Sequence, residues 1–336
     1  MERPIRAAGL LAGCVLLVAL FVSLGRARIV SLLVALGWNF PVIVAIFVAH
    51  ELVRTLALRR WLPADCRPPV AELLRLRLLG EAAGALTRTG SLAAEPTRAW
   101  LLANRGGQGV TGYSAAVGEL LANSATSSAV NATVAGIVLW TAALKGPVVV
   151  LAHVLLWSSL VYLSAVVGIV VSRVRLLGAC VRVAARLPIV GRWLRVDPLK
   201  VREMERAIGA LMQRPAALAP VALLEISAQV LLVCEVYWAI RSMGVVVPVS
   251  SALLAEVMSR AFTLVEFVGA TEMGFAVLFT WLGMPAAIGF TLSLIKTLRS
   301  LTAAGITIGI AKATARANPL LAARPPVGTA VPDSGG

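Results

Sequence analysis

Apolar residues run along this chain in long blocks. Six of them, roughly 7–25, 36–58, 115–143, 147–172, 217–243 and 285–311, each come close to or exceed the 20 or so predominantly apolar residues with which a helix crosses a bilayer. Two short segments interrupt the pattern: 79–102, with Gly80, Glu81, Arg88, Glu95, Pro96 and Arg98, and 260–279, with Glu266, Gly269, Glu272 and Gly274. Both are too polar and too rich in Gly and Pro to cross a bilayer as ordinary helices, and ionisable groups at membrane depth are costly unless paired or hydrated. The pattern predicts an all-α polytopic membrane helix bundle of about six spans plus two re-entrant or broken polar segments. The alternative is that the two segments are interfacial connectors whose Glu and Arg face water.

Composition agrees with the membrane class: 59% of the 336 residues are hydrophobic, 14% are charged and the mean hydropathy is +0.88. The 31 Lys and Arg against 16 Asp and Glu sit mainly in short segments that flank the apolar blocks, where positive charge sets orientation and meets anionic head groups. The net +15 therefore reads as membrane topology, with no nucleic-acid partner expected. Basic residues at Arg3 and Arg6, between the second and third blocks, between the fourth and fifth, and at Lys312, Arg316 and Arg324 all fall inside if both termini are cytoplasmic. The start reads as the first span and not as a cleaved signal, because Leu24-Gly25-Arg26-Ala27-Arg28 lacks a small-x-small site. The 173–214 stretch carries Val174, Leu177, Val181 and Ala185 at helical spacing among Arg175, Arg182 and Arg186. It is either an amphipathic helix on an anionic leaflet or a solvated helix against the bundle. The tail 318–336 is expected to be disordered. Cys14, Cys66, Cys180 and Cys234 have no metal or redox spacing, and His50 and His153 stand far apart, so no metal and no cofactor is expected.

A displacement of 177 positions lays Glu95 on Glu272, Gly112 on Gly289, Tyr113 on Phe290, Glu119 on Lys296 and Leu121 on Leu298. With three crossings in each half, 1–145 and 146–317, the second half is inverted, and the two polar segments enter from opposite faces. That layout is associated with alternating-access transporters.

Gly80-Glu81-Ala82-Ala83, Leu86-Thr87, Gly90, Leu92, Glu95-Pro96-Thr97-Arg98 and Leu101-Leu102 resemble the signature of the flippase-like, lysylphosphatidylglycerol-synthase transmembrane family, which includes hopanoid-biosynthesis-associated membrane proteins. Arg54, Arg59, Arg60 and Trp61 at the end of the second block, Glu119 on the third, Glu235-Val236-Tyr237 and Met243-Gly244 on the fifth, and Phe267 to Gly274, Leu282-Gly283 and Lys296 follow the same pattern. The chain departs from it at Arg88, where the family has Pro, at Ala94, where it has Gly, and near Val268, where it has a Pro. The resemblance implies a lipid-handling domain of the bacterial inner (plasma) membrane, here without the soluble aminoacyl transferase domain that some members carry.

If a lipid head group crosses the bilayer, fixed polar groups must replace its water. The candidates are Glu81, Glu95, Arg98, Glu119, Glu272, Lys296 and Arg299. Glu95-Pro96-Thr97-Arg98 is expected to start a helix, with Arg98 either clamping a phosphate or facing outward. Lys296 and Arg299 are expected to pair with Glu119 or Glu272, for a head group or as a structural ion pair. Glu225 and Glu235, about three turns apart, are expected on one inward face. Asn123, Ser124, Thr126, Ser127, Ser128 and Asn131 give the third block either a hydrated path or interhelical hydrogen bonds. Trp38, Trp140, Trp157, Trp193, Trp238 and Trp281 are expected as interface anchors.

The leading expectation is transport of an anionic, aminoacylated or isoprenoid-derived lipid. The alternatives are a non-catalytic partner of lipid-biosynthesis enzymes or, with intramembrane Glu as base, a head-group transferase. No nucleotide-binding motif points to ATP use.

Overall fold

A computed structural model describes residue 15 and residues 18–62, 67–87, 91–104, 109–141, 147–172, 215–263 and 269–317. Part of the first predicted span, the helix expected within 173–214, the tail, and Arg88, Glu266 and Val268 lie outside them. The described residues are helical and include no strand.

After helical residues 18–23, ten helices follow in order among the described residues: α1 Arg26–Leu36, α2 Asn39–Trp61, α3 Val70–Thr87, α4 Ser91–Asn104, α5 Gly109–Thr141, α6 Pro147–Ser172, α7 Pro215–Ser242, α8 Val249–Thr263, α9 Ala270–Trp281 and α10 Ala286–Ala317. Among the described residues, α2 and the Ala219–Ser242 part of α7 are long and apolar enough to cross a membrane, and a shorter apolar stretch, Ala152–Ala165, lies in α6. At 1.5 Å per residue, α5 and α10 are each about 50 Å long, but polar groups interrupt their apolar surface.

Both predicted polar segments resolve into helix pairs. The first is α3 packed on α4, and the second joins the end of α8 to α9. Pro96 does not start its helix as expected: α4 begins at Ser91, so Pro96 sits in its interior, where it gives up the bond to the Leu92 carbonyl. Close approach depends on glycine within the first pair and where α9 meets α10. A Cβ on Gly80 would lie 2.9 Å from the Ala94 carbonyl oxygen, and one on Gly289 would strike the Phe275 carbonyl.

The element order repeats at the displacement read from the sequence. Shifted by 177 residues, α2 falls at 216–238 on α7, α3 at 247–264 on α8, α4 at 268–281 on α9, and α5 at 286–318 on α10. The equivalent helices α2 and α7 pack together and run antiparallel. Arg54, late in α2, meets Glu225, early in α7, whereas Phe47 and Glu235, towards the other ends, both meet Arg299.

One apolar core, including Ile43, Val236, Ile240, Ala255, Phe279 and Ile295, joins α2, α7, α8, α9 and α10. A second, with Leu58, Trp61, Leu73, Leu102, Ala116 and Val221, packs α2 to α5 against α7. Against these, Val150, Val161, Leu223 and Ile310 point outward. On α7 and α10, exposed Leu223 and Ile310 stand on helices that bury Glu225, Glu235 and Arg299, the inverse of the usual soluble pattern.

Candidate functional site

Four helices each bring two polar side chains at i, i+3 or i, i+4 spacing, which puts both on one face. These are Glu51 and Arg54 on α2, Arg77 and Glu81 on α3, Glu95 and Arg98 on α4, and Glu119 and Asn123 on α5. Glu225 on α7 joins them. The second apolar core surrounds the group, and Glu51, Arg54, Arg77, Arg98, Glu119 and Glu225 are all buried.

Glu119 is the centre. Its Oε1 accepts from Arg54 Nη2 at 2.9 Å and from Arg77 Nη1 at 3.2 Å, and its Oε2 accepts from Arg98 Nη2 at 2.7 Å. Around this core, Arg77 Nε donates to Glu51 Oε2 at 2.5 Å, Arg98 also pairs with Glu95, and Arg54 Nε lies 3.8 Å from Glu225 Oε2. His50 Nδ1 is 3.0 Å from Glu51 Oε1. With its amide turned to suit both neighbours, Asn123 donates to Glu225 Oε2 at 3.0 Å and accepts from Arg54 Nη2 at 3.2 Å. Three guanidiniums thus converge on carboxylates from four other positions, the arrangement in which removal from water is offset by pairing.

Glu81 stands one turn from Arg77 and is half-buried.

A second ionic group lies across the fold. Lys296 Nζ on α10 donates to Glu256 Oε2 at 2.7 Å and to Ser259 Oγ at 3.2 Å, both on α8, and it sits 5.7 Å from the Phe275 ring centroid. Arg299 makes a two-oxygen pair with Glu235 on α7 and lies 4.1 Å over the Phe47 ring. The equivalent positions Glu119 and Lys296 thus each anchor an ion pair to the third helix of their half, Arg77 on α3 and Glu256 on α8, with the charges exchanged.

The predicted residues divide accordingly. Glu81, Glu95, Arg98 and Glu119 gather in the first group, and Lys296 and Arg299 in the second. Glu272 does not serve as their partner: Lys296 takes Glu256, Arg299 takes Glu235 and Glu119 takes three arginines, because the packing of α10 puts α7 and α8 within reach of its charges. Glu272 accepts the Gly269 N–H at 3.0 Å and caps the start of α9. Arg98 is 2% exposed, which rules out the outward-facing reading. Glu225 and Glu235 are both buried, as expected, but about 15 Å apart along α7 and in different groups. Gln229 Nε2 donates to Ser127 Oγ at 3.0 Å, the interhelical use of the polar side of α5. Trp38, Trp157, Trp238 and Trp281 point outward.

Glu51, Arg77, Glu256 and Ser259 were missed as site residues. For Glu51 the signal was present, since Glu51 and Arg54 are a charged pair inside an apolar block.

Several buried atoms of the first group, Arg54 Nε, Arg77 Nη2, Arg98 Nε and Glu225 Oε1, have no hydrogen-bond partner among the described residues. Such atoms are costly in a closed structure and are the natural contacts for a polar or charged group entering the site. Comparison of the chain with protein-family models, curated proteins and solved structures finds no match in any of the three.

Proposed function

We propose that this chain is a multi-pass protein of the bacterial inner membrane that moves the polar head group of an anionic, aminoacylated or isoprenoid-derived lipid across the bilayer. The observation that carries the reading is the first ionic group. Three arginines and their carboxylates are buried among apolar helices, and several of their donors and one acceptor have no partner among the described residues. Fixed charges of this kind replace the water of a head group in a low-dielectric path. The repeat adds support, because α2 and α7 are equivalent by displacement and antiparallel in packing, the relation that inverted halves require. On this reading the two helix pairs α3–α4 and α8–α9 are the broken segments of the halves, and both termini are cytoplasmic.

The test is translocation of fluorescent phosphatidylglycerol, its lysyl ester and a hopanoid analogue in proteoliposomes, wild type against Glu95→Gln. Glu95 is the least buried carboxylate of the Glu119 group's ion pairs, so its substitution perturbs insertion least. Movement by wild type that falls in the variant supports a carrier, and no movement of any lipid by wild type overturns it.

A second reading, a non-catalytic membrane partner in lipid or envelope biosynthesis, is favoured by one feature. Both oxygens of Glu119 are held by arginines in a fully buried site, as in a structural staple. It predicts that Glu95→Gln leaves cellular function intact.

A further inference from the structure

The end of α2 carries a cleft that the ionic groups above do not use. It measures about 290 Å³ and is lined by Leu56, Arg59 and Arg60 of α2, Arg67 of the following connector, and Leu224 of α7. Leu56, Arg59 and Arg60 stand at i, i+3 and i+4, so α2 presents them on one face. Among the described residues, no carboxylate lines it.

Two of the three guanidiniums are held in orientation by the backbone. Arg59 Nε donates to the Pro68 carbonyl at 3.3 Å and Arg67 Nε donates to the Leu62 carbonyl at 2.9 Å. With Nε engaged, the Nη donors of both are left for a ligand, and among the described residues they meet no acceptor. Arg54, Arg77, Arg98 and Arg299 each face a carboxylate. Three like charges around one small cleft repel one another unless an anion sits between them. The planar fork of arginine fits a tetrahedral oxyanion better than it fits water or a monovalent ion. The cleft is at the small end for ligand sites, which suits a head group and not a whole lipid, and Leu56 and Leu224 give the ligand's carbon skeleton an apolar wall.

We propose that this cleft binds the phosphate of a phosphate ester, presented by an anionic lipid head group or by a soluble phosphate ester. The inference does not rest on the carrier reading. Leu224 adjoins Glu225, which contacts Arg54, so a phosphate held here lies beside the first ionic group.

The test is equilibrium binding of fluorescent phosphatidic acid to the full chain in a non-ionic detergent, with the matching diacylglycerol as the phosphate-free probe. Wild type is expected to prefer the phosphatidic acid by roughly tenfold or more, the scale of one or two charge-assisted hydrogen bonds. Arg59→Gln with Arg60→Gln is expected to abolish the preference. Arg60→Gln alone, at an exposed side chain, is expected to weaken it several-fold with unchanged thermal unfolding. Arg241→Gln, at the other end of α7, is expected to leave it intact. Competition by glycerol 3-phosphate at equal affinity assigns a soluble ester, and failure to compete assigns a lipid head group. Equal binding of the two probes, or full binding by the double variant, overturns the proposal. Loss of lipid translocation with phosphatidic acid binding intact counts against the carrier alone.

Discussion

Replacing Glu119 by Gln keeps the shape of the side chain and removes the one charge that three arginines share. Arg54, Arg77 and Arg98 each lose one of two carboxylate partners, keeping Glu225, Glu51 and Glu95 respectively. Breaking a buried ion pair from one side costs about 3–5 kcal/mol, because the remaining charge stays out of water. At about 2–3 °C per kcal/mol for a chain of this size, the unfolding midpoint in detergent is expected to fall by roughly 6–15 °C. Circular dichroism of purified wild type and variant reads this directly. A double-mutant cycle with Arg98→Gln sharpens it: removing a guanidinium from a site already short of a carboxylate should restore part of the loss, with a coupling of about 1–3 kcal/mol. A fall of less than about 2 °C for Glu119→Gln, or strict additivity in the cycle, would refute the view that Glu119 neutralises the buried arginines.

Gly289→Ala drives a methyl into the Phe275 carbonyl where α9 and α10 touch, and is expected to cost at least about 1–3 kcal/mol in thermal unfolding. An unchanged midpoint would mean that the hairpin is not closely packed there. Glu272→Ala removes the acceptor for the Gly269 N–H and should cost about 1 kcal/mol in thermal unfolding. An unchanged midpoint would show that this bond does not hold the start of α9.

The sequence by itself determined the helical class, most block boundaries and the internal displacement, because these depend on local apolar runs and on spacing along one chain. The 115–143, 147–172, 217–243 and 285–311 blocks reappear as α5, α6, α7 and α10, and the shift of 177 carries one set of helices onto another. It also marked Glu81, Glu95, Arg98, Glu119, Lys296 and Arg299 as charges with no place in an apolar chain, and these lie in the two ionic groups. Only the tertiary structure decided which charge faces which. Lys296 reaches Glu256, 40 residues back on α8, and Arg299 reaches Glu235, 64 residues back on α7. Such partners are chosen by which helix faces meet, and spacing within one helix carries no information about its neighbour. Glu272 shows the same limit from the other side. A carboxylate in a polar segment reads alike whether it faces a cation or caps its own helix, and the α9 terminus, formed at Gly269, gave it a backbone donor first. The Arg59, Arg60 and Arg67 cleft was legible only as positive charge that sets topology, because its cavity exists only where α7 closes against the end of α2.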